Sequence, residues 1–146
     1  LKQQHGVAML FISHDLAVVR QLADQVAVLY RGELMQRIAT DALFDSPLHP
    51  YTEMLLHAAP GLCKDEYVPP PPAMPGSPSI AGQGCPLAGR CPRQLGELCA
   101  QSRPPLQKTQ SGFIRCHIPV AELAQQTAGA AVSRVPQELS FRMRSL

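Results

Sequence analysis

Apolar and polar residues follow different periods along this chain, and the changes of period mark its elements. Val7, Ala8, Met9, Leu10, Phe11 and Ile12 form an unbroken apolar run, too short for a helix and suited to a strand buried on both faces. The run ends at Ser13, His14 and Asp15, after which Leu16, Val19, Leu22 and Ala23 fall at helical spacing. Asp15 is placed to cap that helix, predicted over residues 16–24. Val26 to Tyr30 and Glu33 to Ile38 alternate as two strands joined at Arg31-Gly32, and a residue pair ending in Gly between strands is a hairpin signal. Residues 1–6 read as a helix end, with Gly6 as a left-handed terminator. The fold class is α/β running into a hairpin.

Beyond the hairpin the periods shorten. Thr40 is expected to cap a short helix over 41–45, stopped by Ser46-Pro47, since proline cannot continue a helix. His49-Pro50-Tyr51-Thr52 leads into a second short helix, ended by Pro60-Gly61. Val68 to Pro72 reads as extended polyproline, a semi-rigid spacer with nothing to bury. Residues 120–131 suit a short helix, and 134–146 carry no pattern, which is expected of a disordered tail. The chain thus divides into five segments: 1–38, 39–63, a Pro/Gly-rich linker at 64–84, a cysteine-rich segment at 85–118, and a tail at 119–146.

Composition narrows the function classes. At 146 residues the chain is long enough for one ordinary domain. The 10 glycines and 15 prolines stay below the share typical of low-complexity disorder. A net charge of +2 gives no reason to propose a nucleic-acid partner. No apolar run approaches the roughly 20 residues needed to span a membrane, and no signal peptide is recognisable. The first residue is Leu1, as expected of a piece of a longer protein.

Ser13, His14 and Asp15 sit where the predicted strand ends, and open α/β sheets bind ligands beyond the carboxyl ends of strands. They do not make a hydrolytic triad, because neighbouring side chains on an extended segment point to opposite faces. An isolated Ser-His-Asp would be a polar strand end. Together with their flanking helix and hairpin, residues Phe11 to Val19 and Leu22 to Glu33 closely resemble the switch-histidine segment of ABC-type ATPases: a strand ending in Ser/Thr-His-Asp, a helix, then a hairpin. The resemblance implies the end of a P-loop ATPase domain, with His14 contacting the γ-phosphate of Mg-ATP and helping to hold the attacking water. Phosphoryl transfer depends mostly on such positioning and electrostatics. Asp15 is then structural and Ser13 packs at the strand end. The phosphate loop, the signature motif and the strand ending in Asp-Glu do not occur in residues 1–146, so this chain alone is not expected to bind or hydrolyse ATP.

Leu43-Phe44-Asp45-Ser46-Pro47-Leu48-His49-Pro50-Tyr51-Thr52-Glu53-Met54-Leu55-Leu56 resembles the extension that comes after the ATPase domain in peptide and nickel importers. His49 is read as part of a fixed turn, with Pro50 at the first helical position and Tyr51 packed onto the domain. No nucleophile or carboxylate cluster lies close in sequence, and His5 and His57 are read in the same way.

Cys85, Cys91, Cys99 and Cys116 have the spacing C-x5-C-x7-C-x16-C. Disulfides, structural zinc and an iron–sulfur cluster are the three explanations. A reducing compartment disfavours the first, and zinc is usually announced by a tighter C-x2-4-C knuckle. Proline follows both Cys85 and Cys91, as iron–sulfur sites often show. The segment has few large apolar side chains, so a metal bonded at four points would supply stability that its core lacks. Gly84-Cys85, Cys91, Cys99, Pro104-Pro105-Leu106 and Cys116-His117 resemble the cysteine-rich tail of the same importers, which implies a 4Fe–4S cluster, with zinc as the alternative. Cys63 is read as a free thiol, and His117 at most as a residue orienting a ligand.

The resemblance implies an ATPase subunit that powers import of peptides, or of nickel- or glutathione-type substrates. Its partners would be transmembrane permease subunits and a second ABC ATPase, at the inner, cytoplasmic face of the cell membrane. The alternative is a stand-alone metal-binding or regulatory module without ATPase activity.

Overall fold

A computed structural model describes residues 7–59 and 83–129 of the chain. Its centre is the predicted hairpin. Strand β1 (Gln25–Tyr30) pairs antiparallel with β2 (Glu33–Ala39), with Tyr30 opposite Glu33 and Gln25 opposite Ala39. Arg31 (φ 50°) and Gly32 (φ 80°) both take the left-handed region, the geometry of a turn whose twist matches the flanking strands. A register shift between Val28 and Leu29 bends the ribbon.

Helix α1 (Leu16–Leu22) precedes the hairpin and starts as predicted, with Asp15 Oδ1 accepting from Ala17 N at 2.9 Å and Val18 N at 3.3 Å. Helix α2 (Thr40–Asp45) follows β2 directly. Thr40 is not its cap. Its hydroxyl donates to the Ala23 carbonyl at 2.7 Å, and its N–H to Asp24 O at 3.0 Å. The residue expected to start one helix therefore ties it to the end of another. Helix α3 (Pro50–Ala58) begins with Pro50 at the first position, as the sequence predicts, and the structure adds His49 as its N-cap.

The cysteine-rich segment adds helix α4 (Gly96–Gln101) and strands β3 (Leu106–Lys108) and β4 (Gly112–Arg115). Strand β4 pairs with β2, setting Gln36 opposite Ile114 and Ile38 opposite Gly112. Among the described residues the sheet runs β1-β2-β4-β3, antiparallel throughout. Helix α5 (Val120–Gly129) closes one side, burying Leu123 against Ile114 and Ile118.

Two further clusters flank β1 and β2. One joins Val28, Ile38, Leu43 and Leu56; the other joins Tyr30 and Met35 to Cys85, Leu87, Ala88 and Cys99. Tyr51 packs against both, its ring 4.8 Å from that of Tyr30 at an interplanar angle of 60°. The aromatic thus packs onto the hairpin, as expected for the His-Pro-Tyr turn. The result is a mixed helix and antiparallel-sheet arrangement consistent with the α/β class.

The strand predicted at Val7 to Ile12 is not formed. These residues have no ladder partner among the described residues, and Leu10 and Ile12 are 96% and 100% exposed. A strand buried on both faces exists only between neighbouring strands, and none among the described residues lies beside this run. The predictions for residues 1–6, for Cys63, for the Pro-rich linker up to Ala81-Gly82 and for 134–146 fall outside the described residues.

Candidate functional site

The first candidate position is His14. Ser13 does not pack against a strand end; its Oγ accepts from the Asp15 N–H at 3.0 Å, while Asp15 caps α1. The two flanking residues brace the turn, and His14 stands exposed on it. It borders an open groove of about 1390 Å³, whose wall also includes Val19, Val26, Arg37 and Tyr51. The imidazole is therefore available to a ligand and held on a turn fixed by its neighbours.

The second is the cysteine group. All four thiols are free of disulfides, and Cys85 and Cys99 are buried. Three separate chain segments bring them together. Cys85 N donates to Cys99 O at 2.7 Å, joining the first segment to α4. Gly84 lies so close to α4 that a Cβ there would collide with the Ala100 carbonyl. Cys116 follows β4, and its carbonyl accepts from the Gln107 amide at 2.7 Å.

Backbone N–H groups point at each sulfur. Cys85 accepts from Leu87 and Ala88, Cys91 from Arg93, and Cys116 from Ile118 and His117. Cys99 Sγ accepts from Leu95 N at 3.3 Å. For Cys85, Cys91 and Cys116 a donor lies two residues on, and in the first two the intervening residue is proline. Its fixed φ helps to turn the next N–H back onto the sulfur, which gives the Cys-Pro signal in the sequence a mechanical meaning.

Burial raises the Cys91 thiol to about 12 against the Arg93 N–H bond, with Cys116, Cys85 and Cys99 raising it further. Burial likewise raises Cys85 and Cys116, each also influenced by neighbouring thiols of the group. Without a cation these groups hold their protons; metal ligation deprotonates a coordinating thiol outright. Among the described residues no three His, Cys, Asp or Glu side chains converge on a point that would hold a single metal ion.

His49 stands next to this group. It is 2% exposed, its Nδ1 accepts from Tyr51 N at 3.0 Å, and its Nε2 faces the Arg115 carbonyl at 3.1 Å. An Nδ1 that accepts leaves the proton on Nε2, which donates. Burial, partly opposed by the Arg115 bond, lowers its pKa from 6.5 to about 4, with nearby Arg93 lowering it further. It is a neutral structural imidazole, as expected from its place in the His-Pro-Tyr turn. His117 Nε2 lies 2.9 Å from Ser102 O, which fixes the ring beside Cys116.

Sequence reasoning passed over Arg93, whose Nη2 lies 2.9 Å from each Glu53 carboxylate oxygen. It also passed over the buried pair Thr52–Gln36, in which Thr52 Oγ1 donates to Gln36 Oε1 at 2.6 Å. Gln36 holds the inward period-two position between Leu34 and Ile38 on β2, where a polar side chain is unexpected, and its pairing with a helix residue explains it.

The described chain is a hairpin preceded by an exposed histidine turn and followed by a helical and cysteine-rich extension, and comparison with known proteins finds relatives for it. Residues 37–99 match the family described as the oligopeptide/dipeptide transporter, C-terminal region. The oligopeptide transport ATP-binding protein AppF of Bacillus subtilis is 36% identical over 81% of this chain, and the dipeptide transport ATP-binding protein DppF of Escherichia coli is 38% identical over 80% of it. The chain spans 37% and 35% of the length of these two relatives. Over about four fifths of its length the chain is thus similar to ATP-binding proteins of oligopeptide and dipeptide transport, and its residues 37–99 to the C-terminal region of that transporter family. No helix among the described residues is long and apolar enough to cross a membrane.

Proposed function

We propose that this chain is part of the ATP-hydrolysing subunit that powers peptide import by an ABC transporter, and that His14 contacts the γ-phosphate of Mg-ATP. The observation that carries the reading is the match of residues 37–99 to the transporter C-terminal region, joined in one fold to an exposed His14 on a braced turn. An imidazole there donates or accepts one hydrogen bond without adding a net charge, which suits positioning of a phosphate and a water. Asp15 keeps the turn in place by capping α1. Permease subunits and a second ATPase are the partners this function requires, at the cytoplasmic face of the membrane.

The same reading assigns Cys85, Cys91, Cys99 and Cys116 to a 4Fe–4S cluster. Four free thiols with backbone donors on every sulfur suit thiolate ligands, whose properties such hydrogen bonds tune. One zinc ion needs its thiolates about 2.3 Å from a single point; a cluster spreads its ligands over separate irons. When bound, a cluster supplies metal–sulfur cross-links among the chain segments. The protein's residues hold those segments in place: Gly84 lets the first approach α4, and Gln107 fixes the last.

Two measurements test this. In a protein that also carries a phosphate loop, His14→Ala should abolish ATP turnover and spare ATP binding; hydrolysis at the wild-type rate would overturn the His14 assignment. Protein prepared anaerobically should contain iron and sulfide, lost on replacing any of the four cysteines by Ser but kept in Cys63→Ser. Stoichiometric zinc without iron would overturn the cluster.

A further inference from the structure

Arg93 carries an unexplained polar atom. Its Nη2 lies 2.9 Å from both carboxylate oxygens of Glu53 on α3. Its Nη1 is shut off from solvent and has no hydrogen-bond partner. Among the described residues it is the side-chain polar atom left in that state. A buried donor with nothing to donate to is costly, and more so on a charged group. A buried donor without an acceptor calls for an explanation, and a redox role or a bound ion is among those that account for one.

The position of Arg93 points to that group. Its backbone N–H donates to the Cys91 sulfur, two residues earlier. Its guanidinium is close enough to favour the thiolate of Cys116. Arg93 therefore reaches two of the four cysteines, one through its backbone and one through its charge, while Glu53 anchors it from the other side.

We infer that Arg93 is the charge-compensating residue of the cysteine-held cluster, with Nη1 directed at the cluster's sulfur and Glu53 holding the guanidinium in place. The inference rests on the cluster assignment above. Four thiolates around a 4Fe–4S core carry net negative charge, and net charge and hydrogen bonds to sulfur set its reduction potential. A fixed cation lowers the cost of adding an electron, so Arg93 raises the potential. Through Glu53 the same contact links the cluster to α3, the helix that begins with His49-Pro50-Tyr51.

The test is a reductive titration of the full chain, reconstituted anaerobically with iron and sulfide and followed by visible absorption and electron paramagnetic resonance. Arg93→Met should lower the midpoint potential, because a positive charge is lost. Arg93→Lys, which keeps the charge, should stay near wild type. Glu53→Gln removes a negative charge and should raise the potential. Opposite shifts in Arg93→Met and Glu53→Gln separate an electrostatic role from simple loosening, which would let water reach the cluster and move both variants the same way. An unchanged potential in Arg93→Met, or shifts of one sign in both, overturns the inference and leaves the cluster standing. If Arg93→Met takes up no cluster, Glu53→Gln decides alone: a raised potential supports the role and an unchanged one overturns it. A wild-type chain that binds no iron overturns both the cluster and the role of Arg93.

Discussion

His49 Nε2 lies 3.1 Å from the carbonyl of Arg115, the residue immediately before Cys116. The turn that starts α3 is thereby bonded to the strand that delivers the last cysteine, across 66 positions of sequence. The imidazole uses both nitrogens at once, accepting from Tyr51 and donating to Arg115, and protonation of Nδ1 would remove the acceptor that Tyr51 N–H uses.

This arrangement makes stability depend on pH in a defined window. The His49 pKa falls from 6.5 to about 4, chiefly through burial. The unfolded chain therefore takes up a proton that the folded chain does not, and stability rises with pH across that interval. The contribution is complete above pH 6.5 and lost as pH falls towards 4. Its full extent is on the order of 3 kcal/mol. Urea unfolding of the reduced, metal-free chain at pH 7.5 and 4.5 should show it, and His49→Gln should flatten the difference. Equal pH dependence in both proteins would refute the assignment.

Thr52 and Gln36, each 1% exposed, form a closed polar pair in an apolar setting. Thr52→Val should destabilise by about 1–3 kcal/mol, because Gln36 Oε1 is left buried without its donor. Adding Gln36→Leu should recover part of that loss, since a missing pair costs less than half a pair. Chemical denaturation of the two variants measures the difference, and strict additivity would count against coupling.

The cap on α1 gives a local prediction. Asp15→Ala removes the acceptor for Ala17 and Val18 N–H and should cost about 1 kcal/mol. Amide hydrogen exchange should speed up at those two positions and remain unchanged in β2. Because this turn carries His14, faster exchange should accompany reduced ATP turnover in a protein with a phosphate loop.

Gly84→Ala forces a Cβ into the Ala100 carbonyl. The close approach that lets Cys85 N reach Cys99 O should open, at a cost of about 1–3 kcal/mol. Loss of iron on anaerobic reconstitution, with α1 and the hairpin retaining their exchange protection, is the expected result. Normal iron content in this variant would show that the approach of Cys85 to α4 is not needed for ligation.

The residues by themselves determined local structure. Asp15 caps α1 because a carboxylate one step before a helix meets the free N–H groups within three residues. Arg31-Gly32 closes the hairpin because the turn's left-handed backbone is accessible to Gly at no steric cost. Pro50 opens α3 because its missing N–H is not needed at a first helical position. Each outcome depends on atoms a few residues apart.

The tertiary structure decided the rest, because a strand, a buried polar group or a ligand set is defined by partners distant in sequence. Val7 to Ile12 has a strand's composition and, among the described residues, no neighbouring strand, so it stays unpaired and exposed. Thr40 has a cap's composition but meets the Ala23 carbonyl instead. The spacing of the four cysteines is visible in the sequence. That Cys85 and Cys99 share a core with Tyr30 and Met35, and that β4 pairs with β2 beside them, is a matter of long-range register and packing. Apolar area buried between segments sets that register, and no pattern within one segment encodes it.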